Sequence, residues 1–594
     1  MVTYYHIEML KGDTYMKKSI IALFLVAMML VSVFSGCGAD KAAEESTAPA
    51  ESQQVSEAPA PEEPAEEAPA EPEAEPVPEE ETEPVSEGFK LFGSSVVTFP
   101  LVEEPTTLTV YTRGPNTRGA VAQLGISSYT EFSAIQWLQE QTGIELDFTE
   151  VSHEVFSEQF NLYMAGGECA DILVNAGMVY SGGVVKGFED EVFLDLTPYM
   201  DEFAPNYMEV INSDPEVARQ AKSDGGYILN FCALNETIPA RSGFVTRADW
   251  LEEQGVEVPT TYDELDAWLR LCQTEYGCDV AYHMNQQCYA DGITGGYDVA
   301  GFNVGQSALP YLVHDGVVEC SLATDKYKEY LSMLAEWYAD GIIEEDFMSI
   351  VFDPMSKEKV EKISNNRTAV WGANANDLTA YESYVEGGIP VVAVPNLVKN
   401  EGEKDHTGKA TLFGDDTLCI FEGCENPELA ISLVDYFFSE AGQRIYNFGK
   451  EGDTWEMVDG EIQLTEKVLN NELGLSPSNV LSMAAVSGVF MGVTTAQKTA
   501  FSYNQLQLET MATWLNSFDG EYVSNASLNS AESEEYNSLA SDIATYASEN
   551  IPRFIMGELD LETEWSGFVD HLKSMNIDRC VEIQQGAYDR FISR

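Results

Sequence analysis

Between Leu108 and Val174 the apolar residues change spacing repeatedly, from every second position to every third or fourth and back. That alternation restricts the chain to folds in which helices cross over a largely parallel sheet. Leu108-Thr109-Val110-Tyr111-Thr112 sets Leu108 and Val110 on one face and Thr109 and Tyr111 on the other, and this β-branched and aromatic strand runs into a Gly114-Pro115 turn. Thr130 or Ser133 then caps a helix whose apolar face is Phe132, Ile135 and Leu138, stopped by Gly143, and the strand Ile144 to Val151 follows at once. A second round follows. Val155 to Met164 reads as a helix stopped by Gly166-Gly167, and Ala170 to Asn175 contains a short buried strand. Further on, Thr261 and Glu264 form a capping box, after which Leu265, Trp268, Leu269 and Cys272 recur at i, i+3, i+4 and i+7; Trp268 is therefore expected in the core.

Ahead of the fold, Met16-Lys17-Lys18-Ser19 precedes an apolar run from Ile20 to Val33, broken only by Ser32, that ends in Phe34-Ser35-Gly36-Cys37. A basic start, an apolar stretch too short for a comfortable bilayer span and small residues before a cysteine describe an exported chain. Cys37 is the expected lipid-bearing N-terminus, with each buried CH₂ of its acyl chains contributing about 0.8 kcal/mol of membrane affinity. Residues 16–36 are thus read as a lipoprotein signal peptide. Residues 1–15 are read as a misassigned start, because Lys11-Gly12-Asp13 can be encoded by a purine-rich ribosome-binding sequence just before Met16. Residues 37–90 read as a disordered acidic Pro/Glu/Ala linker: 17 acidic residues lie between Asp40 and Gly88, with almost no large apolar side chain to offset ordering entropy.

The formal charge of −69, from 31 Lys and Arg against 100 Asp and Glu, argues against a nucleic-acid partner. It also disfavours strongly anionic ligands, although a local basic pocket overrides the summed field at short range. Cys278, His283 and Cys288 are evenly spaced soft ligands, but with no fourth partner they are read as buried groups and no metal site is expected.

The segment Gly243 to Leu265 concentrates several signals: a strand, Arg247-Ala248-Asp249-Trp250-Leu251, Gly255, Val258-Pro259-Thr260-Thr261 and Asp263-Glu264-Leu265. Together with Gln141-Thr142-Gly143-Ile144, Trp337-Tyr338-Ala339-Asp340-Gly341-Ile342, Gly449 to Trp455, Phe554-Ile555-Met556-Gly557 and Gln585-Gly586-Ala587-Tyr588, it resembles the extracellular solute-binding proteins of ABC importers, in their carbohydrate-handling lipoprotein branch. The resemblance runs from about Leu108 to the end. It implies an α/β, two-lobed periplasmic-binding-protein-like (type II) fold with hinge crossovers near 238, 404 and 456. The N-terminal lobe would comprise 91–238 and 405–455, and the C-terminal lobe 239–404 and 456–594. It further implies a monomeric receptor, lipid-anchored on the extracellular face of the bacterial cytoplasmic membrane, that captures an oligosaccharide and delivers it to the transmembrane subunits of an ABC permease without a cofactor. Related sequences often carry a D-x-N-x-N-G calcium loop after the Asp-Glu-Leu helix; Glu275-Tyr276-Gly277-Cys278-Asp279 stands here instead and offers no such oxygen cage.

Ligands of open α/β sheets lie at the C-terminal ends of strands. That rule selects Arg113 after the first strand, Tyr180 in the loop Gly177 to Gly183, and Trp371 with Asn374 after Arg367-Thr368-Ala369-Val370. Neutral sugars are held by aromatic faces against their C–H surfaces and by amide, carboxylate and guanidinium groups on the hydroxyl edge. Asn235, Arg241 and Asp415 join the candidates because they lie near the lobe crossings. Arg247 and Asp249 are read as a local ion pair and Trp455 as structural. The chain has no H-E-x-x-H, G-x-S-x-G or Walker pattern, so it is not expected to be an enzyme. A cell-surface lyase or hydrolase, and a binding protein for peptides or another small solute, stay open as alternatives.

Overall fold

The computed structural model describes residues 89–594 apart from 116–125, 153–154, 168, 238–239, 287–292, 351–356, 404, 409–410, 516–517 and 521–525. The leader, Cys37, most of the acidic stretch and Cys288 lie outside the described residues. β1 (Thr106–Arg113) and β2 (Ile144–Val151) pair in parallel over their whole length, Thr106 opposite Ile144 and Arg113 opposite Val151. The helix Ser133–Thr142 joins them, burying Ala134, Ile135 and Leu138 and ending at Gly143, whose φ of 77° is the left-handed conformation that glycine adopts without strain. A helix at Phe156–Ala165 leads to β3 (Ile172–Val174), parallel to β1 on its other side.

β4 (Phe231–Asn235) completes this run of the first sheet, and the next strands, β5 (Ser242–Arg247) and β6 (Tyr282–His283), belong to a second. β7 (Tyr311–His314) and β8 (Val317–Cys320) form a hairpin; β9 (Val370–Asn374) and β10 (Val391–Val394) return to the second sheet. After the short β11 (Asp405–Gly408), β12 (Phe413–Ile420) rejoins the first sheet. The hairpin β13 (Trp455–Val458) and β14 (Glu461–Leu464) precedes β15 (Val493–Thr494), and β16 (Phe518–Gly520) pairs with β11. The first sheet has the order β15-β4-β12-β3-β1-β2, with β12 alone running against the others. The second has the order β10-β5-β9-β6.

Each sheet has its own core, which makes two lobes. Leu108, Val110, Ile172, Phe231, Leu418, Val434 and Phe490 pack together on the first sheet. Leu265, Trp268, Leu269, Trp337, Ile551, Phe554 and Leu572 pack together on the second. There the capping box forms: Thr261 accepts from the Glu264 amide at 3.3 Å and the Glu264 carboxylate accepts from the Thr261 amide at 3.1 Å, an arrangement that contributes about 1 kcal/mol. Trp268 is buried, its indole N–H donating to Thr246 at 2.9 Å.

Two assignments from the sequence are corrected by the packing. Residues 405–408, assigned to the N-terminal lobe, form β11 and pair with β16, which follows the helix Gln505–Leu515 of the second lobe. Residues 456–494, assigned to the C-terminal lobe, sit with the first: β15 pairs in parallel with β4, and Met483, Val486, Val489 and Phe490 lie in the first core. The chain therefore passes to the second lobe between β15 and the helix Gln505–Leu515, which packs on β5 and β10, and not near 456. The strand signal of β15 is only two residues long, too short to register as a period. At the C-terminus the helices Ser530–Ile555, Leu561–Ser574 and Ile577–Ile592 cover the second core. The chain end then reaches back to the first lobe, where Asp224 accepts from Arg590 Nε at 2.6 Å and Arg594 Nε at 2.9 Å.

Candidate functional site

Because β12 runs against its neighbours, the C-terminal ends of β1, β2, β3, β4 and β15 and the start of β12 share one edge of the first sheet. Arg113, Glu150, Asn175, Asn235, Asp416 and Thr417 stand along it. Side chains alternate faces along a strand, so Tyr111, which packs with Phe156 and Phe160, shares its face with Arg113, and Thr417 shares the face of Cys419 in the same cluster. Tyr111 Oη, Arg113 Nε and Thr417 Oγ1 are each buried without a hydrogen-bond partner among the described residues. Three such atoms on one face are costly to leave unpaired, which makes this edge the candidate site. Arg113 lies 5.1 Å over the ring of Phe156.

The acidic groups of this edge are already engaged. Asn175 holds φ at 60°, a conformation asparagine tolerates, and donates to Asp416 at 2.9 Å while accepting from the Thr417 amide at 3.0 Å. Glu150 accepts from the Tyr129 amide at 2.6 Å and from Ser128 at 3.2 Å. Burial raises the Glu150 carboxyl above the usual glutamate range despite those bonds.

Beyond β15, in the helix Ala496–Ser502, the Lys498 ammonium donates to Ser487 at 2.9 Å and lies 5.9 Å from the Tyr446 ring. Burial, reinforced by the positive charge of Arg241, lowers its pKa to about 8. The backbone N–H of Ala496, which opens this helix, donates to Glu236 just beyond β4 at 2.6 Å, tying the helix to the segment that leads on to Arg241 and β5. Arg241 is exposed, and its carbonyl accepts from Ala375 at 2.8 Å, so it sits next to the end of β9.

The structure distributes the other candidates differently. Trp371 is corrected: it is fully buried in β9, edge-on to Tyr381 with its indole N–H donating to that hydroxyl at 3.0 Å, and its faces are taken up by the core around Val245 and Trp514. Alternation along β9 turns it inward, which the continuous run of small and apolar residues around it did not reveal. Asn374 closes β9 and accepts from the Asn376 amide at 3.0 Å as a helix cap, with its amide 3.4 Å from Ser242. Tyr180 donates to Asp190 at 2.9 Å and packs edge-on to Phe193; burial and the Asp190 contact push its pKa up to about 12. Asn235 ends β4, buried, its backbone N–H donating to the Leu412 carbonyl at 2.6 Å. Asp415 lies within β12. Arg247 and Asp249 form a bidentate pair at 2.8 and 2.6 Å, and Trp455 is buried with its indole bonded to Gly449.

Tyr111, Asn175, Asp416, Thr417 and Lys498 were missed by the sequence reading. Asn175, Asp416 and Thr417 follow once the register of β12 is known, but an antiparallel strand arriving from about 240 positions away leaves no local signal. Away from this edge, His283 at the end of β6 contacts Glu344, which also binds Lys362 at 3.1 Å, and Glu344 is 2% exposed. Burial alone would raise the Glu344 carboxyl; the His283 and Lys362 contacts outweigh it and hold it below the usual range. All eight cysteines among the described residues are free thiols.

Residues 126–444 match the family described as bacterial extracellular solute-binding protein. The chain is similar to the fructooligosaccharide ABC transporter substrate-binding protein FusA of Streptococcus pneumoniae serotype 4, at 22% identity over 85% of this chain and 94% of that one. It is also similar to the lipoprotein LipO of Bacillus subtilis, at 23% identity over 56% of this chain and 66% of LipO. Among solved structures, an HMO-binding, ABC-transporter-associated solute-binding protein from Bifidobacterium longum infantis superposes with a TM-score of 0.66 at 18% identity, covering 82% of this chain and 99% of that one, a likeness of fold. The family match spans more than half of the sequence, and the two lobes each built on its own sheet agree with it: the chain belongs to the bacterial extracellular solute-binding proteins.

Proposed function

We propose that this protein is a lipid-anchored receptor that captures an oligosaccharide outside the cell and hands it, chemically unchanged, to an ABC permease. The observation that carries the reading is the row of unpartnered polar atoms, Tyr111 Oη, Arg113 Nε and Thr417 Oγ1, at the strand-end edge from which the chain leads on to Arg241 and the other lobe. A ligand touching both edges makes its full set of contacts only when the lobes are together, so binding shifts a hinge equilibrium toward closure. The names of FusA and of the HMO-binding protein support a saccharide as the guest, and that of LipO, with the Cys37 lipobox, supports the anchor.

A thermal-shift panel of oligosaccharides and oligopeptides tests this. A saccharide at about 100 times its Kd adds about 2.7 kcal/mol of stability and a clear rise in Tm. Stabilisation by peptides and by no saccharide would overturn the reading. Recovering the bound saccharide intact after long incubation is the expected result, and new reducing ends or unsaturated products would make the protein an enzyme instead.

A further inference from the structure

Nine arginines among the described residues pair with a carboxylate: Arg219, Arg247, Arg270, Arg367, Arg444, Arg553, Arg579, Arg590 and Arg594. Arg113 and Arg241 are the exceptions, and both stand at the candidate edge. In a chain with 100 acidic residues against 31 basic ones, a guanidinium without a carboxylate is the unusual arrangement. Lys498 adds a third cation there, held by a neutral hydroxyl and an aromatic ring. Ala496, at the start of the Lys498 helix, donates its backbone N–H to Glu236 at 2.6 Å, just beyond β4 in the segment that leads on to Arg241. Holding these cations near one another with no carboxylate in ion-pair contact among the described residues costs free energy that a bound anion would return. The carboxylates near this edge, Asp416, Glu150 and Glu236, have oxygens committed to Asn175, Tyr129, Ser128 and the Ala496 backbone.

We infer that the ligand is an acidic oligosaccharide, whose ring carboxylate or sulfate lies between Arg241 and Lys498 and whose chain runs along the strand ends to Arg113. This deepens the proposed function and rests on it. Lys498 follows β15 and Arg113 ends β1, four places apart in the strand order. At about 4.8 Å per strand that is roughly 19 Å, the run of several sugar rings rather than one. The summed negative field of the protein opposes such a ligand at long range, but the unmatched cations dominate within a Debye length.

The test is isothermal titration of the full chain with matched pairs: hexuronic-acid oligosaccharides and their carboxyl-reduced twins, and sulfated oligosaccharides and their desulfated twins. The expected result is that one acidic member binds at least about tenfold more tightly than its neutral twin, and that Arg241→Gln or Lys498→Met erases that preference. Raising salt from about 0.1 M to about 1 M, which shortens the Debye length to ~3 Å, weakens the acidic member only. Arg444→Gln, which breaks the pair with Glu440, serves as the control. The preferred twin tells carboxylate from sulfate. Equal or tighter binding of neutral chains overturns the inference while leaving a saccharide receptor standing. Binding of peptides and of no saccharide overturns both.

Discussion

Lys498 is the residue at which charge and pH meet. Arg241, Ser487 and Tyr446 surround it, Glu236 binds the start of the same helix at Ala496, and burial, with Asp416 nearby, keeps the Tyr446 hydroxyl un-ionised. With a pKa lowered to about 8, the ammonium is charged at neutral pH and loses its proton as pH rises through that value. A bound anion favours the charged form, so affinity for an acidic saccharide falls between about pH 7 and pH 9, whereas its neutral twin shows no such slope. Lys498→Met removes the slope in a titration series; a slope surviving in that variant would assign it elsewhere. The stability effect has the opposite sign. A lysine whose folded pKa lies below its unfolded value of about 10.4 adds stability as pH rises from about 8 toward 10. Trp371 makes a different residue-level case. Trp371→Ala leaves a cavity against Tyr381 and Val245 and an unpaired Tyr381 hydroxyl. It should cost about 3–5 kcal/mol in a urea titration. Ligand affinity of the fraction that remains folded should be close to that of the parent, because the indole presents no face to a guest.

At the level of elements, the helix Gln505–Leu515 couples the lobe crossing to the second sheet. Its Trp514 packs against β5 at Gly243, where an added Cβ would meet the indole ring at 2.5 to 2.6 Å, and its N–H donates to the Phe244 carbonyl at 2.9 Å. Gly243→Ala therefore forces the helix off the strand. It is expected to cost about 1–3 kcal/mol in the second lobe and to shift the tryptophan emission, measured by denaturant titration. An unchanged midpoint would mean that the ring slides aside freely. This contact also shows what the sequence could reveal. β1, its crossover helix and β2 were legible because their apolar periods are local and their ends are marked by glycine; so was the Tyr262–Glu275 helix, whose capping box lies within four residues. Gly243 and Trp514 are about as far apart in sequence as Asn175 and Thr417, and the pairing of such distant segments leaves no periodic trace. The same limit explains the site. Arg113 and Arg241 were picked from strand ends and crossings, whereas Thr417 and Lys498 needed the register of β12 and the two-residue β15, and Trp371 was misjudged because strand alternation, not position after a strand, decides which way a ring points.

For the molecule as a whole, two large cores with separate sheets imply two units of stability joined by a small number of covalent and polar ties. The chain passes between them after β4, between β10 and β12, and after β15. The last helix adds the Asp224 clasp with Arg590 and Arg594, and Ser530 contacts Glu189 across the same divide. Polar ties of this kind, partly solvated, contribute little beside the apolar burial inside each lobe, so the lobes need not unfold together. Calorimetry without ligand is expected to show two overlapping transitions, and Asp224→Ala to separate them further by removing the clasp. A guest bound to both lobes changes that balance, because unfolding either lobe then forfeits the whole binding free energy. Saturating saccharide should raise the lower transition toward the upper one until the two merge, with the calorimetric and van't Hoff enthalpies converging. Arg241→Gln should weaken the merging in proportion to its lost affinity. A single transition in the ligand-free protein, unmoved by Asp224→Ala, would show instead that the two cores are one cooperative body, and closure on a ligand would then have to come from a local segment instead of hinged lobes.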